Sequence, residues 1–291
     1  MEKIFQAVSV KPAILQPQAG EYVDPVSGLI YCKTCHTPRQ CKVVICGNLM
    51  LPRCTCQCEQ ERMRKEEEEE KARRFRLEID QNRSAGLPSP ILRKHTFETD
   101  LGYNPEAMNR ARNYVRHWEE FYKDGIGLLF WGSVGTGKSF LAGCIANALL
   151  DKGVRVRMTN CSRILNELSG LRSGENNRFI DRLCAFDLLI IDDLGMERSS
   201  EYAREQIFSV IDSRYRSGRP TIYTTNIHLE QMKNTTDLND QRIFDRVLER
   251  CIPVVVSDQH VRKLRSHRIC EKSDKLLREK PLWERKSFPT V

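Results

Sequence analysis

Between about residue 92 and residue 268 the chain alternates short apolar runs with longer stretches in which apolar positions recur every three or four residues. The runs Gly127–Trp131, Val154–Thr159, Leu188–Asp192, Thr221–Thr225 and Ile252–Ser257 have the length of strands. Amphipathic helices are predicted at Lys138–Asp151, around 161–171 and 176–185, at Glu201–Ser217, in the stretch leading to Cys251, and after the last strand. Strands that are apolar throughout need cover on both faces, and strands separated by helices need right-handed crossovers. The pattern therefore predicts an α/β fold: a five-stranded parallel sheet covered by helices on both faces.

The rest of the chain reads differently. Residues 1–30 are punctuated by Pro and Gly without periodicity and are expected to be a flexible arm. Residues 31–58 hold seven of the twelve cysteines and mark a small separate module. Residues 59–91 form a charged helical linker in which Glu67, Glu69 and Glu70 precede Lys71, Arg73 and Arg74 by four positions, the favourable orientation for helical ion pairs. Residues 92–272 are the main domain, and 273–291 a basic tail expected to be disordered.

Composition narrows the class. A chain of 291 residues with 40% hydrophobic content can bury one core of roughly 150 to 200 residues and leave appendages. No run approaches the roughly 18 to 20 apolar residues of a membrane helix, and the N-terminus lacks an apolar signal region, so no membrane association and a cytoplasmic location are expected. In a reducing compartment twelve cysteines point to metal rather than disulfides. Six of the eight excess positive charges fall within 259–291, which suits either a solvated end or an anionic partner.

The chemistry begins at Gly132-Ser133-Val134-Gly135-Thr136-Gly137-Lys138-Ser139, which fits the phosphate-loop pattern between a strand and a helix. Its glycines let successive N–H groups face a polyphosphate, and the following helix, with Phe140 in its first turn, turns its positive end toward the same anion. Lys138 is expected to reach the β- and γ-phosphates of ATP, and Ser139 to ligate Mg²⁺. The strand ending in Asp192-Asp193 would bring carboxylates to that sheet edge, Asp192 for Mg²⁺ and Asp193 as the base orienting water. Thr221–Asn226 is a further strand whose terminal amide, Asn226, can hold the lytic water; alone, Asn there is an ordinary turn residue.

Together the phosphate loop, the Asp-Asp strand and the Thr-Thr-Asn strand resemble an AAA+ ATPase. The order Thr96-Phe97, phosphate loop, Leu188 to Gly195, Tyr223 to Asn226 and Arg242-Ile-Phe-Asp-Arg246 is similar, over residues 92–268, to the DnaC/DnaI-type helicase loaders and their IstB-like relatives. The cysteine-rich module with its charged connector resembles phage and Gram-positive loaders. The resemblance implies that Asn226 is the first sensor, Arg242 or Arg246 a finger reaching a neighbouring subunit's γ-phosphate, and Arg262 the second sensor. Of the two, Arg246 is the one expected at the catalytic site, with Arg242 as the alternative. It further implies slow ATP hydrolysis dependent on assembly into an oligomer, a hexameric replicative helicase held by the N-terminal module, and single-stranded DNA on the AAA+ domain, with Arg163, Arg172 and Arg178 among the contacts. The other readings are a regulator of DNA transposition of the IstB type and, from another class, a small-molecule kinase. One departure is that Asp193 stands where many AAA+ proteins carry Glu, so a second water or Glu197 would complete the reach.

Cys32-x2-Cys35 is a knuckle that can aim two thiolates at one Zn²⁺, and Cys54, Cys56 and Cys58 offer the other pair, so four of these five are the expected ligands. Cys41, Cys46 and His36 are alternates or ligands to a second ion. Cys144, Cys161, Cys184, Cys251 and Cys270 lie in apolar periodic segments and are expected in the core.

Overall fold

The computed structural model describes residues 16–45, 47–172, 174–195, 201–256 and 261–278. The first half of the expected arm (1–15), Cys46, Glu197 and the tail beyond 278 lie outside the described residues.

Two hairpins come first: β1 (Glu21–Val23) pairs antiparallel with β2 (Ile30–Cys32), and β3 (Val43–Ile45) with β4 (Asn48–Met50). Residues 21–23, expected in the loose arm, are thus a strand whose partner ends at Cys32, and the hairpin belongs to the cysteine module. Its interior is small, with Ile30, Cys32 and Cys56 buried. Glu21 is buried too, and a buried carboxylate must be paired. Its Oε1 lies 3.0 Å from both Arg39 and Arg53, and the Gln18 N–H donates to Oε2 at 2.8 Å. These partners, the Gln18 amide first, hold its carboxyl below the usual range.

Helix α1 (Gln57–Gly86) carries the charged segment. Of the expected pairs, Glu67–Lys71 forms at 2.7 Å, whereas Arg73 turns to Glu70, one residue nearer. Pro88 and Pro90 follow the helix end. The chain divides into two compact units within this helix, at Arg76/Leu77.

In the second unit come α2 (Pro105–Arg116), α3 (Trp118–Asp124), β5 (Gly127–Trp131), α4 (Lys138–Asp151), β6 (Val156–Asn160), α5 (Cys161–Ser169), α6 (Glu175–Cys184), β7 (Leu188–Leu194), α7 (Glu201–Arg216), β8 (Thr221–Thr225), α8 (Leu229–Lys233), α9 (Leu238–Arg250), β9 (Cys251–Val255) and α10 (Val261–Arg278). All five predicted strands are present and parallel, in the order β6-β7-β8-β5-β9. Helices α2 and α3 have no counterpart among the predicted elements, although Pro105 after Asn104 is a helix-start signal.

Strand residues alternate between two cores. Leu128, Phe130, Ile190 and Ile222 pack with α2 and α4, while Leu129, Leu189, Ile191 and Tyr223 pack with α5, α6, α7 and α9. Each fully buried Leu or Ile contributes about 1.5 to 3 kcal/mol. Cys144, Cys161, Cys184 and Cys251 are buried as expected; Cys270 is exposed, because α10 presents that position to solvent.

A cation also lies inside this unit. Arg214 is 1% exposed and donates to the carbonyls of Cys184, Phe186, Asp187 and Pro220 and to the Thr221 hydroxyl, at 2.6 to 3.2 Å. It ties the entries to β7 and β8 together, and burial pushes its guanidinium down to about 10.

Candidate nucleotide site and cysteine cluster

The phosphate-loop pattern occupies the turn from β5 to α4, at the carboxyl edge of the sheet where its strand order reverses. Gly132 passes so close to the next strand's exit that a Cβ would sit 2.4 Å from the Val256 carbonyl oxygen. Gly137, with φ of 104°, is in the left-handed region and starts α4. Both positions require the residue without a side chain.

A cavity of about 700 Å³ opens over this loop. Its wall includes Val134 to Phe140, Asp193, Asn226 and Arg262, so the structure gathers these sequence-predicted residues from four segments. The backbone N–H of Arg262 donates to Gly135 O at 3.2 Å, which docks the start of α10 on the loop.

Lys138 is 5% exposed, and its Nζ donates to the carbonyls of Gly132 at 2.9 Å and Ser133 at 2.7 Å. Burial lowers its pKa, with Asp193 and Asp192 opposing. Asp192 lies opposite: burial pushes its carboxyl up, while hydroxyls of Thr224 and Ser139 pull it down. A carboxylate and a hydroxyl in mutual contact are the oxygen donors a Mg²⁺ site supplies from protein, so Ser139 and Asp192 fit the ion.

Asp193 is exposed and has φ of 56°, uncommon for a residue with a side chain. The pairing of β7 with β8 slips between Ile191 and Leu194, and this bulge turns Asp193 toward the cavity. Arg242 and Arg246, the candidate fingers, do not line the cavity. Both guanidiniums stack on the Phe208 ring, at 4.2 and 4.7 Å, and Arg246 is also paired with Asp212. Arg172 and Arg178 are exposed, and Arg163 pairs with Glu167 at 3.4 Å.

Sequence reading missed one wall. His95, Thr99, Asp100, Leu101, Tyr103, Asn104 and Met108 close the cavity from the segment before β5. Asn104 stands at the N-cap of α2 yet makes no side-chain cap; its Nδ2 donates to Thr136 O at 2.8 Å. The sequence signal there, Pro105 after Asn104, marks a helix start but does not place it over the loop.

In the cysteine module the sulfurs of Cys32, Cys35, Cys56 and Cys58 lie within 4.8 Å of one another. A Zn–S bond of about 2.3 Å places tetrahedral sulfurs about 3.8 Å apart. Cys58 Sγ is 3.6 Å from Cys32 Sγ and 3.2 Å from Cys56 Sγ, so a small contraction or expansion of the group admits the ion. Cys32 ends β2, Cys35 follows in the turn, Cys56 precedes α1, and Cys58 is in its first turn. The crowding is felt at two of them: Cys56, Cys35 and Cys32 push the Cys58 thiol up to about 12, while the Thr37 hydroxyl and then the Cys58 backbone hold Cys35 down to about 5.

Cys54 falls outside this group. Its N–H pairs with Arg39 O at 2.8 Å and its thiol faces the Pro38 carbonyl at 3.5 Å, because the chain is still extended there. Cys41 likewise faces Pro52 O, and His36 contacts Tyr22, so neither alternate joins.

No helix among the described residues is long and apolar enough to cross a membrane. Comparison with known proteins adds the relatives. The profile of the family described as IstB-like ATP binding protein matches residues 60–269. The replicative helicase loader DnaC of Escherichia coli (strain K12) is 35% identical over 144 residues, 48% of this chain and 56% of that protein. The chain thus spans about half the length of the curated relatives it matches. An uncharacterized protein of the same strain, YdaV, is 30% identical over 181 residues, 59% of this chain and 68% of that one. Among solved structures, the DnaC helicase loader aligns with a TM-score of 0.51 and 27% identity over 58% of this chain and 100% of that one. DnaI aligns at 0.50 and 23% identity over 59% and 96%, a likeness of fold.

Proposed function

Because this chain belongs to the family of IstB-like ATP binding proteins, we propose that it is an AAA+ ATPase that loads a hexameric replicative helicase in DNA replication. The observation that carries this reading is the cavity where the phosphate loop, Asp193, Asn226 and Arg262 converge, with Asp192 behind it against Ser139, on a chain similar to DnaC.

ATP enters with its phosphates toward the amides of residues 132–139 and the start of α4. The Lys138 ammonium exchanges its two loop carbonyls for β- and γ-phosphate oxygens, which compete well for a charge held in a nearly dry site. Ser139 and Asp192 would hold Mg²⁺, which would supply neutralisation of the phosphate charge. Asp193 accepts the proton of the attacking water, and Asn226 holds that water in line. Asp193 is a short carboxylate on a bulge, so hydrolysis is slow and ATP binding itself serves as a switch. Arg262 acts within its own subunit. Arg246 acts on a neighbour's nucleotide, which makes turnover depend on assembly.

The four-thiol cluster would hold one Zn²⁺, which would supply folding free energy to a module too small for a core of its own. That module grips the helicase, and single-stranded DNA lies on the AAA+ domain through Lys and Arg contacts to its backbone. The location is cytoplasmic.

Size-exclusion chromatography with light scattering, combined with ATPase rates, tests the reading with and without a replicative helicase and single-stranded DNA. A complex with the helicase and DNA-stimulated turnover are expected. Capture of a transposase with no helicase complex would replace the loader by a transposition regulator, and stimulation by a metabolite alone would overturn both.

A further inference from the structure

The sheet register places one residue opposite the acidic pair. β7 and β8 pair Ile191 with Tyr223 and then Leu194 with Thr225, so Asp192 and Asp193 together face Thr224. Two residues against one is a bulge, and a bulge removes ladder hydrogen bonds from the strand that carries it. Thr224 is fully buried in the central strand, and its hydroxyl fills that gap with both of its capacities. It donates to Asp192 Oδ1 at 2.6 Å and accepts from the Asp193 N–H at 2.9 Å.

We infer that Thr224 is the positioning residue of the magnesium site: one buried hydroxyl fixes the orientation of the Asp192 carboxylate and pins the left-handed turn at Asp193. The inference rests on the reading of the cavity as a Mg²⁺–nucleotide site.

The chemistry favours a hydroxyl on a β-branched carbon. A distance of 2.6 Å suits an O–H donating to an ionised carboxylate. With Oδ1 engaged by Thr224, the carboxylate cannot rotate freely, and its other partner is the Ser139 hydroxyl, the second oxygen that would hold the ion. The single hydroxyl proton goes to Asp192, which leaves a lone pair for the Asp193 N–H. The branched Cβ holds χ1 in one setting, so the two bonds keep their directions. Valine has the same shape and neither bond; serine keeps both bonds with a looser χ1. Thr224 does not line the cavity, and its hydroxyl reaches the site only through the two acids.

The test is an equilibrium titration of a fluorescent ATP analogue onto the full chain, first in EDTA and then across Mg²⁺ concentrations, for the parent, Thr224→Val and Thr224→Ser. Affinity in EDTA should be unchanged in both variants, since loop amides and Lys138 supply it. The Mg²⁺ concentration for half of the metal-dependent gain should rise about 10-fold or more in Thr224→Val, the size of effect typical of groups that orient metal ligands. In Thr224→Ser it should stay within about threefold of the parent. Should the valine variant not fold, Thr224→Ala replaces it with the same expectation. Parental Mg²⁺ dependence in the valine or alanine variant overturns the inference, and so does an equal loss of affinity in EDTA and in Mg²⁺, which would make Thr224 a strand residue only. If the parent binds no nucleotide, the site reading fails before this one is reached.

Discussion

Arg246 Nε donates to Asp212 Oδ1 at 2.7 Å, linking α9 to α7 within one subunit. The same guanidinium stacks on Phe208 and lies 5.8 Å from the centre of the Tyr215 ring. A side chain held by an ion pair and two rings is well ordered on the protein surface, at a place away from its own nucleotide cavity.

If Arg246 is the finger for a neighbouring subunit, Arg246→Ala should lower ATP turnover about 10³-fold or more at assembling concentrations and leave ATP affinity unchanged. Asp212→Asn, which frees the guanidinium, should retain turnover. Steady-state ATPase rates across protein concentration check this. A loss confined to Arg242→Ala would move the finger one helical turn earlier.

Elemental analysis should return about one zinc per chain. Serine at Cys32, Cys35, Cys56 or Cys58 should each lower it well below one, while Cys54→Ser and Cys41→Ser should leave it unchanged. Loss of zinc in Cys54→Ser with retention in Cys56→Ser would contradict the ligand set. Removing the metal by chelation should unfold the module of residues 21–58, visible as lost chemical-shift dispersion of its amides.

Arg214 should be a stability residue. Replacing it with Met removes its hydrogen bonds to the carbonyls of Phe186, Asp187 and Pro220 and to the Thr221 hydroxyl, and leaves the Cys184 carbonyl to Arg219 alone, at a cost of about 3 to 5 kcal/mol. Urea denaturation of the second unit's helical signal measures it. A change under about 1 kcal/mol would show that water replaces the guanidinium there.

Asp187 supplies a pH dependence. Its Oδ1 pairs with Arg155 at 3.0 Å; burial raises its pKa, but hydrogen bonds and charge from Arg155 outweigh it and the net direction is down. A carboxyl lowered in the folded state adds stability that is present above the unfolded value of 3.8 and is lost as pH falls through the folded value. The gap in urea midpoint between the parent and Asp187→Asn should therefore be full at pH 7 and begin to narrow as pH falls below about 4. A gap that is already narrowing well above pH 4, or that widens as pH falls below it, would contradict the assignment.

The main domain was legible because its signals are local. Buried strand segments such as Leu188–Ile191 are continuous apolar runs, and the loop at 132–139 has a fixed spacing whose geometry follows from glycine and a helix start. What escaped depends on pairing between distant segments. Nothing near Thr224 in sequence says that two aspartates will stand opposite it, and the wall from His95 to Met108 needs the tertiary placement of α2. The same holds for Cys54 and Cys56, equivalent in spacing, which part because the chain remains extended at one and enters α1 just after the other. The strand at 21–23 was missed for its brevity: three residues beside a Pro-Gly-rich stretch carry no periodicity.

The central claim is that the cavity above residues 132–139 takes ATP with magnesium. Calorimetric titration of the full chain with a non-hydrolysable ATP analogue and Mg²⁺ tests it directly, beside Lys138→Ala. One binding site per chain, with affinity reduced at least about 100-fold in the variant, is the predicted result. Equal affinity in the two proteins, or no binding in either, would contradict it.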